Sequence, residues 1–190
     1  MKRFTLILIL TMTVLLGSSG ACWSNDLEKG WEAYLNQDYA TALKEWTPLA
    51  KQGDVGARYY LGLMYENGLG VPEDDKIAVK WFNLAAEQGE ANAQYNLGVM
   101  YEQGQGVSQD YQTAMKWWGL AAEQGHTDAQ YNLGVMYGKG QSVPADSVRA
   151  HMWFNLAAVQ GNKDASKNID IVANKMTPEQ IAEAKKLARE

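Results

Sequence analysis

"AQYNLGVMYEQGQGV" occupies Ala93–Val107, and at a step of 36 residues the chain writes "AQYNLGVMYGKGQSV" over Ala129–Val143. Self-similarity at a fixed period of about 20–50 residues marks an array of stacked supersecondary units. Extending the window at the same step yields three units: 55–90 (VGARYYLGLMYENGLGVPEDDKIAVKWFNLAAEQGE), 91–126 (ANAQYNLGVMYEQGQGVSQDYQTAMKWWGLAAEQGH) and 127–162 (TDAQYNLGVMYGKGQSVPADSVRAHMWFNLAAVQGN). Ala57/Ala93/Ala129, Leu61/Leu97/Leu133, Gly62/Gly98/Gly134 and Tyr65/Tyr101/Tyr137 recur in the first half. Ala78/Ala114/Ala150, Trp81/Trp117/Trp153, Ala85/Ala121/Ala157 and Gly89/Gly125/Gly161 recur in the second.

Each unit reads as two helices. Ala93, Leu97, Gly98 and Tyr101 fall on one stripe of a helical period. Ala114, Trp117, Trp118, Ala121 and Ala122 form a wider, aromatic stripe, and this reading buries Trp81, Trp117, Trp118 and Trp153 in the core. A mid-helix glycine costs about 1 kcal/mol against alanine. The return of Gly98 at Gly62 and Gly134 therefore predicts a close approach of paired helices there, backbone to backbone. In the connection, Gly104 is placed to end the first helix in the left-handed conformation. Gly106 suits a second tight turn, and Asp74, Asp110 and Asp146 are placed to cap the second helices.

A single helix pair cannot bury its apolar face; stacked pairs can, provided that atypical units close the ends. Upstream, 27–54 reads as a related hairpin with a shorter loop and a shifted first helix. Downstream, 163–190 reads as capping helices: Ala165, Ile169 and Ala173 continue the register, and Asp170 stands where glycine would be. Thr177, Pro178 and Gln180 then open a terminal helix with a capping box. The expected fold is all-α, a solenoid of stacked helix-turn-helix repeats with a C-terminal capping helix.

The motifs A-x-Y-x-L-G-x-M-Y, G-x-G-V and A-x-x-W-x-x-x-A-A-x-Q-G resemble the Sel1-like repeat family, relatives of tetratricopeptide repeats. Departures are Ser142 for the second loop glycine, Gly138 for an acidic residue, and the short first hairpin. The resemblance implies a solenoid that mediates protein–protein contacts, often in bacterial envelope or signalling complexes.

Residues 1–21 read as a secretory signal peptide: Lys2 and Arg3, an apolar run from Phe4 to Leu16, then small residues. An uncleaved N-terminal anchor is the competing reading. Cys22 follows "SSGA", similar to a lipobox, although Ser19 stands where leucine is preferred. Cys22 is thus the candidate lipidation residue, while Ser19-Gly20-Ala21 also suits ordinary cleavage. The protein is expected to be exported: periplasmic, or anchored at the outer membrane through Cys22, with no membrane span in the mature chain. It is the only cysteine, so the fold is no disulfide scaffold. The formal charge is −5, and loss of Lys2 and Arg3 makes it more negative. That argues against nucleic acid as a partner.

No catalytic constellation is legible, and no cofactor is implied. His126 falls in an inter-repeat loop and reads as a solvated residue; His151 reads as packed on a second helix rather than as a ligand. Some cysteine-rich relatives are described as penicillin-binding or β-lactamase-like, which makes a cell-envelope enzyme or enzyme regulator the alternative. Their paired cysteines, Ser-x-x-Lys and Lys-Thr-Gly are missing from this sequence. The chain is therefore read as non-catalytic.

If the stack resembles its tetratricopeptide relatives, its first helices line the concave face. Ladders there are Tyr59/Tyr95/Tyr131, Tyr60/Asn96/Asn132, Leu63/Val99/Val135 and Glu66/Glu102. Tyr59, Tyr60, Leu63, Tyr95, Asn96, Val99, Glu102, Tyr131, Asn132 and Val135 are the candidate contacts for a protein or peptide of the cell envelope. The amides offer donor and acceptor to an extended backbone, and the tyrosines and valines offer apolar contact. The competing reading has Tyr95 packing between repeats and Asn96 facing water.

Overall fold

The computed structural model describes residues 23–189. Among them are ten helices and no strand: α1 (Trp23–Leu35), α2 (Tyr39–Gln52), α3 (Val55–Glu66), α4 (Asp75–Ala86), α5 (Ala91–Gln103), α6 (Tyr111–Glu123), α7 (Thr127–Lys139), α8 (Ser147–Val159), α9 (Lys163–Ala173) and α10 (Pro178–Leu187). Each packs on the next along the chain up to α9, and α10 turns back onto α8. This is the all-α solenoid of helix pairs that the periodicity predicts. The leader at 1–21 and Cys22 lie outside the described residues.

Helices α3, α5, α7 and α9 start where the sequence units start, because the residue before each is an N-cap. Asp54, Glu90, His126 and Asn162 accept from the backbone N–H groups of Ala57, Ala93, Ala129 and Ala165. The second helices are capped by Asp38, Asp74, Asp110 and Asp146, the last three as expected. Gly104 closes α5 at φ +74° with its N–H on the Met100 carbonyl. The capping box of α10 is present, with Thr177 and Gln180 bonding reciprocally. His126 is a correction: it is a half-buried capping residue rather than a solvated one, since its Nδ1 replaces the capping carboxylate of Asp54 and Glu90.

The core divides into clusters of alanines, leucines and methionines around one buried aromatic per hairpin. Trp46, Phe82, Trp118 and Phe154 are the buried aromatics, each against a glycine of the preceding helix: Gly30, Gly62, Gly98 and Gly134. The close approach predicted at Gly98 therefore exists, but an aromatic ring meets the backbone, not a second backbone. In α9 the corresponding position is Asp170, and no further hairpin follows.

Trp81, Trp117 and Trp153 are likewise corrected. They are half-buried, and each leans on the cluster that precedes it in the stack. Each is adjacent in sequence to a buried aromatic, about 100° away around the helix. Only one of two neighbours can point at the glycine, so the other ties successive clusters together.

A polar ladder crosses the stack beside these rings. Gln94 and Gln130 are buried, and their amides donate to the carbonyls of Ala86 and Ala122, both at 3.1 Å. Gln124 and Gln160 donate in turn to the Gln94 and Gln130 oxygens, both at 2.8 Å. At the first unit, Arg58 stands in the register of Gln94 and its guanidinium donates to the Ala50 carbonyl at 3.0 Å. Each rung adds a hydrogen bond between neighbouring hairpins, and the Ala86 and Ala122 carbonyls accept from the Gly89 and Gly125 N–H groups as well.

Candidate functional site

The ten candidate contacts come from α3, α5 and α7, and all are half-buried. Tyr59 and Leu63 pack against the α4–α5 cluster, Tyr95 and Val99 against the α6–α7 cluster, and Tyr131 and Val135 against the α8–α9 cluster. Tyr60 packs against the first cluster and stacks on Trp46 at 4.7 Å. Each of these side chains thus has one face in the interface between helices and part of its surface outside. Asn96, Asn132 and Glu102 complete the strip.

The strip is partly dehydrated and acidic. Burial, helped by Glu90, pushes the Tyr59 hydroxyl up to about 12. Burial also raises Tyr60, with Glu90 next in weight, and Tyr95, with Asp128 next. Burial beside Asp75 raises the Glu66 carboxyl. These phenols stay protonated at neutral pH, so they serve as hydrogen-bond donors. The Tyr95 hydroxyl meets the Asn132 side chain, and its ring stacks on His126 at 4.5 Å and 15°. Asn132 therefore has only part of its amide capacity left for a ligand.

Elsewhere, His151 is buried on α8, with Nδ1 2.6 Å from the Asn155 amide. Among the described residues no group of three or more His, Cys, Asp or Glu is placed to hold a metal, and no helix is long and apolar enough to cross a membrane. What the strip presents is hydrogen-bond donors, amides and apolar surface at the repeat spacing.

Sequence reasoning missed the buried roles of Gln94, Gln130 and the His126 cap. The recurring Gln-Gly at 88–89, 124–125 and 160–161 carried part of that signal, since a polar side chain kept at one register position signals a partner.

The Sel1 repeat family model matches residues 55–90, 91–126 and 127–162. Solved structures give the same likeness. A Sel1 repeat protein from Oxalobacter formigenes is 35% identical, with a TM-score of 0.72 over 75% of this chain and 58% of that one. A protective antigen present in uropathogenic Escherichia coli strains, displaying an SLR fold, is 35% identical, with a TM-score of 0.77 over 87% of this chain and 38% of that one. The chain thus spans less than two thirds of either protein. No curated protein matches it.

Proposed function

Given that the chain belongs to the Sel1 repeat family, we propose that it is a non-catalytic scaffold of the bacterial cell envelope, gripping a protein or peptide along the first-helix strip. Sel1 repeats are generally protein-interaction scaffolds, and the fold adds a preformed surface that costs little ordering on binding. The observation that carries the reading is the half-buried row in which a tyrosine and an aliphatic side chain return once per repeat on α3, α5 and α7, joined by Tyr60 on α3 and by Asn96 and Asn132 on α5 and α7. An extended chain of matching period would place successive backbone groups against Asn96 and Asn132. The signal-like leader supports export, and Cys22 is the residue that would carry a lipid. The description of the Escherichia coli relative as a protective antigen supports an envelope setting.

A photo-crosslinking residue placed at Val99 or Tyr131 in the native envelope should capture a discrete protein, identified by mass spectrometry. Asn96→Ala/Asn132→Ala should weaken that capture. Crosslinks confined to α8 and α10, with none from the strip, would defeat the reading.

A further inference from the structure

At the carboxyl-terminal end of the strip lies a cavity of about 220 Å³, lined by Val135, Gly138 and Lys139 of α7, Phe154 of α8, Ile171 of α9, and Lys175 just beyond it. Gly138 opens it. The earlier repeats hold Glu66 and Glu102 at that position, so the change removes a side chain and a negative charge together. Packing does not demand the glycine: a Cβ there would meet only the Ala150 Cβ at 3.7 Å, an ordinary contact. The far wall is open because α10 turns back onto α8 and leaves Ile171 56% exposed. Lys139 and Lys175 stand at the rim, and neither forms an ion pair among the described residues. On a chain of formal charge −5 this is a local reversal of sign.

We infer that this cavity takes the last residue of an extended protein chain, its apolar side chain among Val135, Phe154 and Ile171, and its free α-carboxylate beside Lys139 and Lys175. A carboxylate beside two ammonium groups gains charge-assisted hydrogen bonds that an internal residue cannot offer. The space falls below the roughly 300–1,000 Å³ of a drug-sized ligand pocket, which suits a single side chain. Val135 is also the last apolar rung of the strip, so residues preceding the terminus run back towards Val99 and Leu63. The inference rests on the strip reading to that extent.

The test is fluorescence anisotropy of the purified protein with N-terminally labelled hexapeptides ending in leucine, as free acid and as amide. The free acid is expected to bind, and the amide to bind about fivefold more weakly or worse. Lys139→Glu/Lys175→Glu should reproduce that loss. Gly138→Glu, which restores the residue of the other repeats, should weaken the free acid by about tenfold or more. Its thermal midpoint should be no lower than that of the parent protein, which separates a filled pocket from a damaged fold. Equal binding of acid and amide, no measurable binding of the acid, or full binding by Gly138→Glu overturns the inference. Strip crosslinks that persist while no free-acid peptide binds would leave the strip standing and sink the pocket. Acid-selective binding without any strip crosslink would sink the strip and leave the pocket.

Discussion

The indole of Trp118 occupies the space where a side chain at Gly98 would point, and its Nε1 donates to the Tyr95 carbonyl at 3.2 Å. A methyl group at Gly98 would overlap Cδ1, Nε1 and Cε2 of the ring. Gly98→Ala should therefore destabilise the protein by about 1–3 kcal/mol through overpacking, despite the better helix propensity of alanine. Gly119 sits in the neighbouring helix with nothing within 4 Å of a built Cβ. Gly119→Ala should stabilise by about 1 kcal/mol. Urea unfolding of both variants checks the pair, and equal shifts of the same sign would contradict the ring-on-glycine account.

The existence of that seat was legible, because a glycine kept at 62, 98 and 134 inside a helical pattern costs stability unless something needs the space. What filled it was not. Trp117 and Trp118 are adjacent, and period alone puts both on one wide apolar face; only packing decides which points at Gly98 and which leans on the preceding cluster. The shifted first hairpin was readable from its shorter loop, but the seat was not: Trp46 keeps the 36-residue register while its glycine moves to Gly30. The strip was readable as a face, and the packing of Tyr95 between repeats was one of two readings; sequence could not decide between them, since the ladder Tyr59/Tyr95/Tyr131 touches the following cluster across a distance that sequence spacing does not encode. Nor could the cavity at Gly138 be read, because it depends on where α10 turns.

His126 gives the fold a pH dependence. Its Nδ1 accepts from the Ala129 N–H at 3.3 Å, so the cap needs that nitrogen unprotonated. Burial holds the pKa below the ordinary value, although Asp128 and Glu90 pull it upward. The His151 pKa is lowered too, by burial and then by Lys185 of α10. A histidine with a depressed folded pKa binds fewer protons than the unfolded chain just below about pH 6.5, so stability rises with pH through that window. The stabilisation is complete above about pH 6.5 and is lost as pH falls towards the folded values. Thermal midpoints measured from pH 7.5 down to 5 should decrease. His126→Asn, which copies the Asn162 cap of α9, should flatten the curve without lowering the pH 7.5 midpoint. A profile unchanged by that substitution would rule out the cap as a source.

The glutamine ladder predicts unequal costs for one residue type. Gln130 is buried, donates to the Ala122 carbonyl and receives the Gln160 amide. Gln130→Ala should cost about 1–3 kcal/mol, because two hydrogen bonds at a buried position are lost together, although the Ala122 carbonyl keeps the Gly125 N–H. Gln160 is exposed, so Gln160→Ala should cost no more than about 1 kcal/mol. A double-mutant cycle on the pair should return a coupling of about 0.5 kcal/mol or more. Additive effects would show that the two amides act independently.

The second loop glycine offers a substitution that should act in opposite directions in two repeats. Ser142 sits at φ +69°, where Gly106 sits at φ +67° in the repeat before it. An L-residue in the left-handed region costs roughly 1–2 kcal/mol, and glycine does not incur it. Ser142→Gly should therefore raise stability, by about 1 kcal/mol after the added freedom of the unfolded chain is subtracted. The reverse change carries a second penalty. A Cβ at Gly106 would lie 2.5 Å from the carbonyl carbon and oxygen of Asp75, at the start of α4, and backbone cannot yield as a flexible side chain can. Gly106→Ser should cost about 2 kcal/mol or more, from backbone strain and from separation of neighbouring repeats. Denaturant midpoints for the two variants should move to opposite sides of the parent, with the larger displacement for Gly106→Ser. Similar small shifts for both would mean that the loop relaxes freely and that the contact between Gly106 and Asp75 does not help to join the repeats.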